Sequence, residues 1–183
     1  MDCYKELEDS VRESYACVVW SHKIQEKQAD IYYKKYVFME WCSIITAGVT
    51  SLGVLSVIFT DPVWVKVLTA IISFVSFCVT AYLKNFDLRK VIVLHKSTAS
   101  KLIGVRDQYK VLLLEIRLKS DSVSNILDRY KDLVGRTDSI YLDAPNTTDE
   151  AVEKAREALN VKKDNTFTEE EIDSFLPISL RSK

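Results

Sequence analysis

Glycine, proline and histidine are scarce in this chain. Its 183 residues hold four glycines, three prolines and two histidines. The glycines Gly48, Gly53, Gly104 and Gly135 build no phosphate-cradling loop, so there is no P-loop and no G-x-G-x-x-G turn. A nucleophile elbow and the H-E-x-x-H zinc helix are also missing. No periodicity brings two carboxylates together in an apolar pocket. His22 and His95 lie far apart without further ligands, which leaves no metal site to predict. The cysteines Cys3, Cys17, Cys42 and Cys78 lack C-x-x-C spacing and read as reduced thiols. These absences point away from an enzyme, and no cofactor is expected.

Charge is missing where it matters most. Trp41 to Phe59 carries no charged side chain, and Val63 to Leu83 carries only Lys66. A bilayer core about 30 Å thick needs roughly 20 apolar residues of helix. Both runs reach that length, and Thr60-Asp61-Pro62 joins them. The pattern predicts a helical hairpin across a membrane, since backbone amides in lipid must be satisfied within each segment. The alternative is a soluble protein with two buried central helices, but such helices rarely stay uncharged for so long.

The formal net charge of −1 hides a strong asymmetry. From Lys84 to Lys119 nine bases face three acids, a local charge of +6. From Asp143 onward acids dominate, most densely at Glu169-Glu170-Glu171. Lys34 and Lys35 precede the first span; Lys84, Arg89 and Lys90 follow the second. The positive-inside rule then puts both termini in the cytoplasm and the turn outside. The N-terminus is acidic and has no early apolar core, so it does not read as a cleavable signal peptide.

The expected fold is all-α, in four parts: an N-terminal cytoplasmic helix at 1–36, the hairpin at 37–83, a stalk helix at 84–119 and short helices at 120–183. Tyr4, Leu7, Val11, Tyr15 and Val18 recur at helical steps and mark one apolar face. That helix runs on into the first span through Tyr32, Tyr33, Tyr36 and Phe38, with tyrosines suited to the headgroup level. Trp41 and Trp64 would sit at opposite faces of the bilayer. The stalk is read as a continuation of span two. Its seam is Leu88, Ile92, Ala99, Leu102, Tyr109, Leu113 and Ile116, interrupted by His95 and Arg106. It should pack antiparallel to the first helix. Its basic start suits anionic lipid, and no DNA-reading motif accompanies it. Next come a helix capped by Asp121 and ending near Gly135, one opened by a Thr147/Glu150 capping box, and one opened by Thr168/Glu171. The acidic last helix either complements its own dipole or meets the basic stalk.

Each span carries a weakly polar stripe: Ser43, Thr46, Thr50 and Gly53 in the first, Thr69, Ser73, Ser76 and Thr80 in the second. Two readings stand. Small residues and hydroxyls let membrane helices pack closely, or a stripe lines a water-filled path in an oligomer. Glu40 and Lys66 either snorkel to the headgroups or ring the mouths of a pore, Lys66 favouring anions outside and Glu40 cations inside.

The layout resembles the SLATT family of bacterial two-transmembrane effectors associated with nucleotide-signalling defence systems. The resemblance rests on the hairpin with Asp61-Pro62 in its turn, the following helix with Ser100 to Tyr109, the Asp121 to Tyr141 segment, Ala151 to Ala158, and the tail from Thr166-Phe167-Thr168 through Glu169-Glu170-Glu171-Ile172-Asp173 to Ser174-Phe175-Leu176-Pro177. It implies a membrane effector proposed to form pores in abortive infection; because two helices enclose no lumen, the expected form is a homo-oligomer of roughly four or more hairpins in the inner membrane. A nucleotidyltransferase, sensor or reverse transcriptase would control it. No nucleotide-sensing domain is expected within this chain, so control would act in trans. The rival class is a non-conducting membrane scaffold or signal adaptor.

Overall fold

The computed structural model describes residues 3–59, 63–164 and 166–181. The expected turn Thr60-Asp61-Pro62 lies outside the described residues. The described residues are helical, without a strand. α1 is a single helix, Cys3–Phe59, about 85 Å long at 1.5 Å per residue. α2 is Val63–Asn85 and packs back along its second half. α3, Leu88–Leu118, lies antiparallel to the first half of α1. Contacts from Glu40–Arg89 at one end to Glu8–Arg117 at the other fix that direction.

α4, Val123–Leu142, runs beside both. Tyr4 Oη donates to the Asp121 carbonyl, Ser14 and Tyr130 share a 2.9 Å hydrogen bond, and Tyr141 Oη donates to Ser21. The core between α1, α3 and α4 contains Leu7, Val11, Val18, Leu102, Val105, Tyr109, Leu112, Ile116, Ile126 and Leu133. Tyr109 is fully buried and keeps its hydroxyl in contact with Thr137 at 3.3 Å. α5, Asp149–Asn160, lays Ala151, Ala155 and Ala158 flat against α1. α6, Glu169–Phe175, and a 3-10 turn, Ile178–Leu180, close the chain with Ile172, Phe175, Ile178 and Leu180 exposed.

Several expectations are corrected. The stalk does not continue span two: the helix breaks at Phe86-Asp87, because the Asp87 side chain takes the N–H of Lys90 and caps a new helix. Ser122 rather than Asp121 caps α4; Asp121 instead binds Ser122 N–H and Asn125. α4 passes through Gly135 to Leu142, since one helical glycine costs only about 1 kcal/mol. Thr148, one residue after the expected Thr147, caps α5. Leu112 and Val105 are buried while Leu113 is half-buried and Arg106 leans aside to Asp107. The cause is α4, which covers a second side of α3. The Thr168/Glu171 capping box is present in both halves.

Exposure argues against the soluble alternative with two buried central helices. The most apolar windows of the two long helices, mean hydropathy 1.5 and 2.0, contain no buried residue. Phe38, Leu52, Trp64, Phe74 and Phe77 are each more than 65% exposed. Such an apolar surface fits lipid, not water.

The alanine face of α5 gives the first prediction. Ala155 is 0% exposed, so Ala155→Leu should overpack it against α1 at a cost of about 1–3 kcal/mol. Limited proteolysis should then cut faster between Asp143 and Thr168. Glu153→Leu, on the exposed side of α5, should leave the cutting rate unchanged.

Candidate functional site: the hairpin, its neck and a buried polar layer

Outside its neck, the hairpin buries little, and what it half-buries is mostly weakly polar. Ser43, Thr46, Thr50 and Gly53 on α1 are half-covered, as are Thr69, Ser73 and Ser76 on α2. The stripes meet: a Cβ on Gly53 would lie 2.5 Å from Thr69 Oγ1. Thr46 Oγ1 donates to the Cys42 and Ser43 carbonyls at 2.8 and 3.1 Å, and Ser73 Oγ to the Thr69 carbonyl at 2.8 Å. These hydroxyls are satisfied on their own helices. Thr50 Oγ1 is buried without a hydrogen-bond partner among the described residues. Thr80 is exposed. In this state both stripes, apart from Thr80, face the hairpin seam, the geometry of close helix packing. Lys66 is exposed near the start of α2, far from Glu40.

At the neck, Glu40 has a partner on α3. Arg89 Nη2 lies 3.1 Å from Glu40 Oε1, and Arg89 Nε donates to Tyr36 Oη at 2.5 Å. Tyr36 in turn donates to Glu40, and the guanidinium stacks over the Tyr36 ring at 4.9 Å. Two more cations sit over tyrosines: Lys35 on Tyr82 at 5.1 Å and Lys96 on Tyr33 at 5.7 Å. Each such contact is worth about 0.5–1 kcal/mol when exposed. Lys34, Lys84 and Lys90 are exposed around them. The neck is therefore a collar of cations and phenols, suited to a headgroup layer.

Below the neck lies a buried polar layer that the periodicity of α1 conceals. The apolar rhythm ending at Val18 continues through His22, Gln25, Gln28 and Tyr32. Gln25 Nε2 donates to the Pro145 carbonyl at 3.2 Å. Its Oε1 therefore accepts from His95 Nδ1 at 2.5 Å, which fixes the neutral histidine's tautomer. Gln28 Oε1 accepts from both the backbone N–H and the hydroxyl of Thr148, at 2.7 and 2.8 Å. Lys23, 3% exposed, reaches Glu26 and Asp164 at 2.8 and 3.3 Å. The layer ties α1 and α3 to the loop before α5. Polar residues at seam positions were the signal, visible at His95 but readable as a partner set only once α5 is placed.

Burial pushes both histidines below the ordinary 6.5. For His22 the Glu26 carboxylate opposes that shift, while Lys23 and Arg106 add to it. Among the described residues, no group of His, Cys, Asp and Glu is placed to hold a metal ion. Cys3, Cys17, Cys42 and Cys78 are free thiols.

A profile of the SMODS and SLOG-associating 2TM effector domain family 4 matches residues 7–171. The chain belongs to this family. No curated protein and no solved structure matches it. The matched stretch runs from the first core residue of α1 into α6, so stalk, hairpin, polar layer and capping box all lie within the 2TM effector domain. Membership makes the chain a membrane effector of defence systems. The family is named for association with SMODS and SLOG proteins, and its domain is described as a 2TM effector domain.

The polar layer of this effector domain sets a pH dependence. Unfolded histidines take up protons below about 6.5, while the folded His22 and His95 resist. The unfolded state binds more protons there, so stability is fully present above that pH and falls as the pH drops through it. Thermal unfolding of the solubilised chain should show a lower midpoint near pH 5.5 than near pH 7.5. A His22→Gln/His95→Gln variant should flatten this slope.

Proposed function

We propose that the chain breaches the bacterial inner membrane when a partner sensor signals infection, with both termini in the cytoplasm. The observation that carries this reading is the continuity of α1. One unbroken helix joins the soluble core at Leu7 to the far end of the first span at Phe59. A helix is stiff on this scale, so a shift of the core is delivered directly to the hairpin. The return path differs. α2 and α3 meet at the Phe86-Asp87 break, which lets the second span turn relative to the stalk.

Two helices enclose no lumen, so conduction needs several copies around an axis. In the closed hairpin the hydroxyl stripes face each other. Rotation of α2 about the break would turn Thr69, Ser73, Ser76 and Thr80 toward that axis, with Thr46 and Thr50 beside them. The Arg89 contacts to Glu40 and Tyr36 hold α3 on α1 directly after the break, Lys35 over Tyr82 holds the end of α2 on α1, and together they oppose such rotation. The trigger is read as a partner protein, such as a nucleotidyltransferase, sensor or reverse transcriptase, acting on the stalk. The second reading, a non-conducting scaffold, is favoured by the mutual packing of the stripes within one hairpin.

Membrane-potential dyes in cells expressing the effector with its trigger separate the two. A pore depolarises the cells, and Ser73→Leu/Ser76→Leu abolishes the effect while the protein stays in the membrane fraction. Depolarisation unchanged by that variant removes these serines from the path. No depolarisation by the triggered wild type overturns the pore itself. Arg89→Lys keeps the charge that orients the hairpin but loses the planar fork that grips Glu40 and Tyr36. It should raise depolarisation without the trigger.

A further inference from the structure

α3 carries two seams, and only one is used. Its inner seam faces α1 through His95, Leu102, Tyr109 and Ile116. The opposite side steps by four and three residues without a gap, from Val93 through Ser97, Ser100 and Gly104 to Val111, Leu114 and Leu118, with Asp107 at its middle. Every one of these residues is exposed. Val93, Val111, Leu114 and Leu118 are 66%, 57%, 56% and 68% exposed. A Cβ on Gly104 would meet nothing within 4 Å. An amphipathic helix on a bundle surface needs one apolar stripe, and a second with heptad spacing is the mark of a second helix partner.

We infer that this outer face docks a second copy of the same chain, α3 beside α3, parallel and in register. The inference rests on the reading that the effector assembles in the membrane. The hairpin places every copy at the same height and in the same direction, so equal residues meet at equal levels. Charge supports that register. In a parallel heptad pair, Lys110 of one copy flanks Glu115 of the other, on both sides of the seam, where Glu115 also holds Arg129 of its own copy at 3.1 Å. Asp107 opposes its counterpart, but each is held by its own Arg106 at 2.8 and 3.0 Å. Nearer the membrane, Lys96 flanks Lys101 of the second copy and repels it. The contact therefore belongs to the membrane-distal half, where Val111, Leu114 and Leu118 supply the apolar surface.

Size sets how the contact behaves. A 31-residue helix is about 46 Å long. A strip roughly 10 Å wide along its membrane-distal half buries on the order of 450 Å² over two copies, below the ~1,200 Å² of stable interfaces. The copies separate when free in solution and associate once a bilayer confines them to one plane.

The test uses the full chain in two tagged forms, reconstituted at high density in vesicles. A photo-reactive side chain replaces Val111, or Leu142 as an exposed control on another element. Inter-copy adducts should form at Val111 and not at Leu142, and should vanish in dilute detergent. Leu114→Glu/Leu118→Glu should cut them by about tenfold with helicity by circular dichroism unchanged. Copies that co-purify from vesicles without a Val111 adduct, or that ignore the glutamate variant, overturn this face while leaving assembly standing. Adducts as strong at Leu142, or in dilute detergent, also overturn it. Copies that never co-purify at any lipid ratio overturn both assembly and this face.

Discussion

Helical hydrogen bonding along α1 is the constraint on which everything else stands. A backbone in hydrocarbon has no water to bond, so each span must satisfy its own amides. In α1 that same ladder extends without interruption into the soluble bundle. The chain solves two solvation problems with one helix by inverting its surface. In the first half, apolar residues point inward: Leu7, Val11 and Val18 are buried. In the second half they point outward: Phe38, Trp41, Ile45 and Leu52 are exposed, and the weakly polar stripe turns in. The inversion falls in the region of Tyr32 to Glu40, and that is where the aromatic and cationic collar sits.

The collar is necessary because α3 leaves the hairpin at an angle its own sequence sets. Asp87 ends one ladder and starts another, which frees α3 from the direction of α2. Without further ties the neck would be loose. Arg89 closes it on Tyr36 and Glu40, and Lys96 on Tyr33 adds a second point one to two turns on. In water an exposed ion pair is worth about 0.2–1 kcal/mol. At the edge of a hydrocarbon slab the effective dielectric is lower and the pair is correspondingly stronger. Its strength then depends on how deeply the hairpin sits, which links lipid contact to stalk geometry.

The spans, the apolar face from Tyr4 to Val18 and six of the seven seam residues of α3 were legible because each follows one period. What escaped the sequence were features with two causes. Val105 is buried and Leu113 only half-buried because α4 covers a second side of α3, whereas a heptad counts only one partner. Gly135 lies mid-helix because packing outweighs a propensity penalty of about 1 kcal/mol. The cap of α5 fell on Thr148 rather than Thr147, where Gln28 satisfies its backbone and hydroxyl from another helix. The stripes of the hairpin were visible as stripes, but small polar residues read alike whether they pack together or wait to face water. The burial of Gln25 and Gln28 follows no apolar period of α1, since their partners lie 70 and 120 positions away.

That polar layer has a physical role beyond filling space. Two long helices packed by a heptad seam can slide by one repeat at little cost, because each step exchanges similar apolar contacts. Buried polar groups cannot slide, since leaving one unpaired costs about 1–3 kcal/mol. The Gln25–His95 bond therefore locks the register of α1 against α3, as a single polar seam residue does in a coiled coil. It also makes that register depend on the loop at Pro145, which orients Gln25. A slip of one repeat would carry Arg89 about 10 Å from Glu40. The tail, through α5 and its loop, is thus coupled to the neck of the hairpin by the hydrogen bonds of Gln25 and Gln28. A partner that pulled the loop away would release the register where the inner apolar seam alone could not hold it.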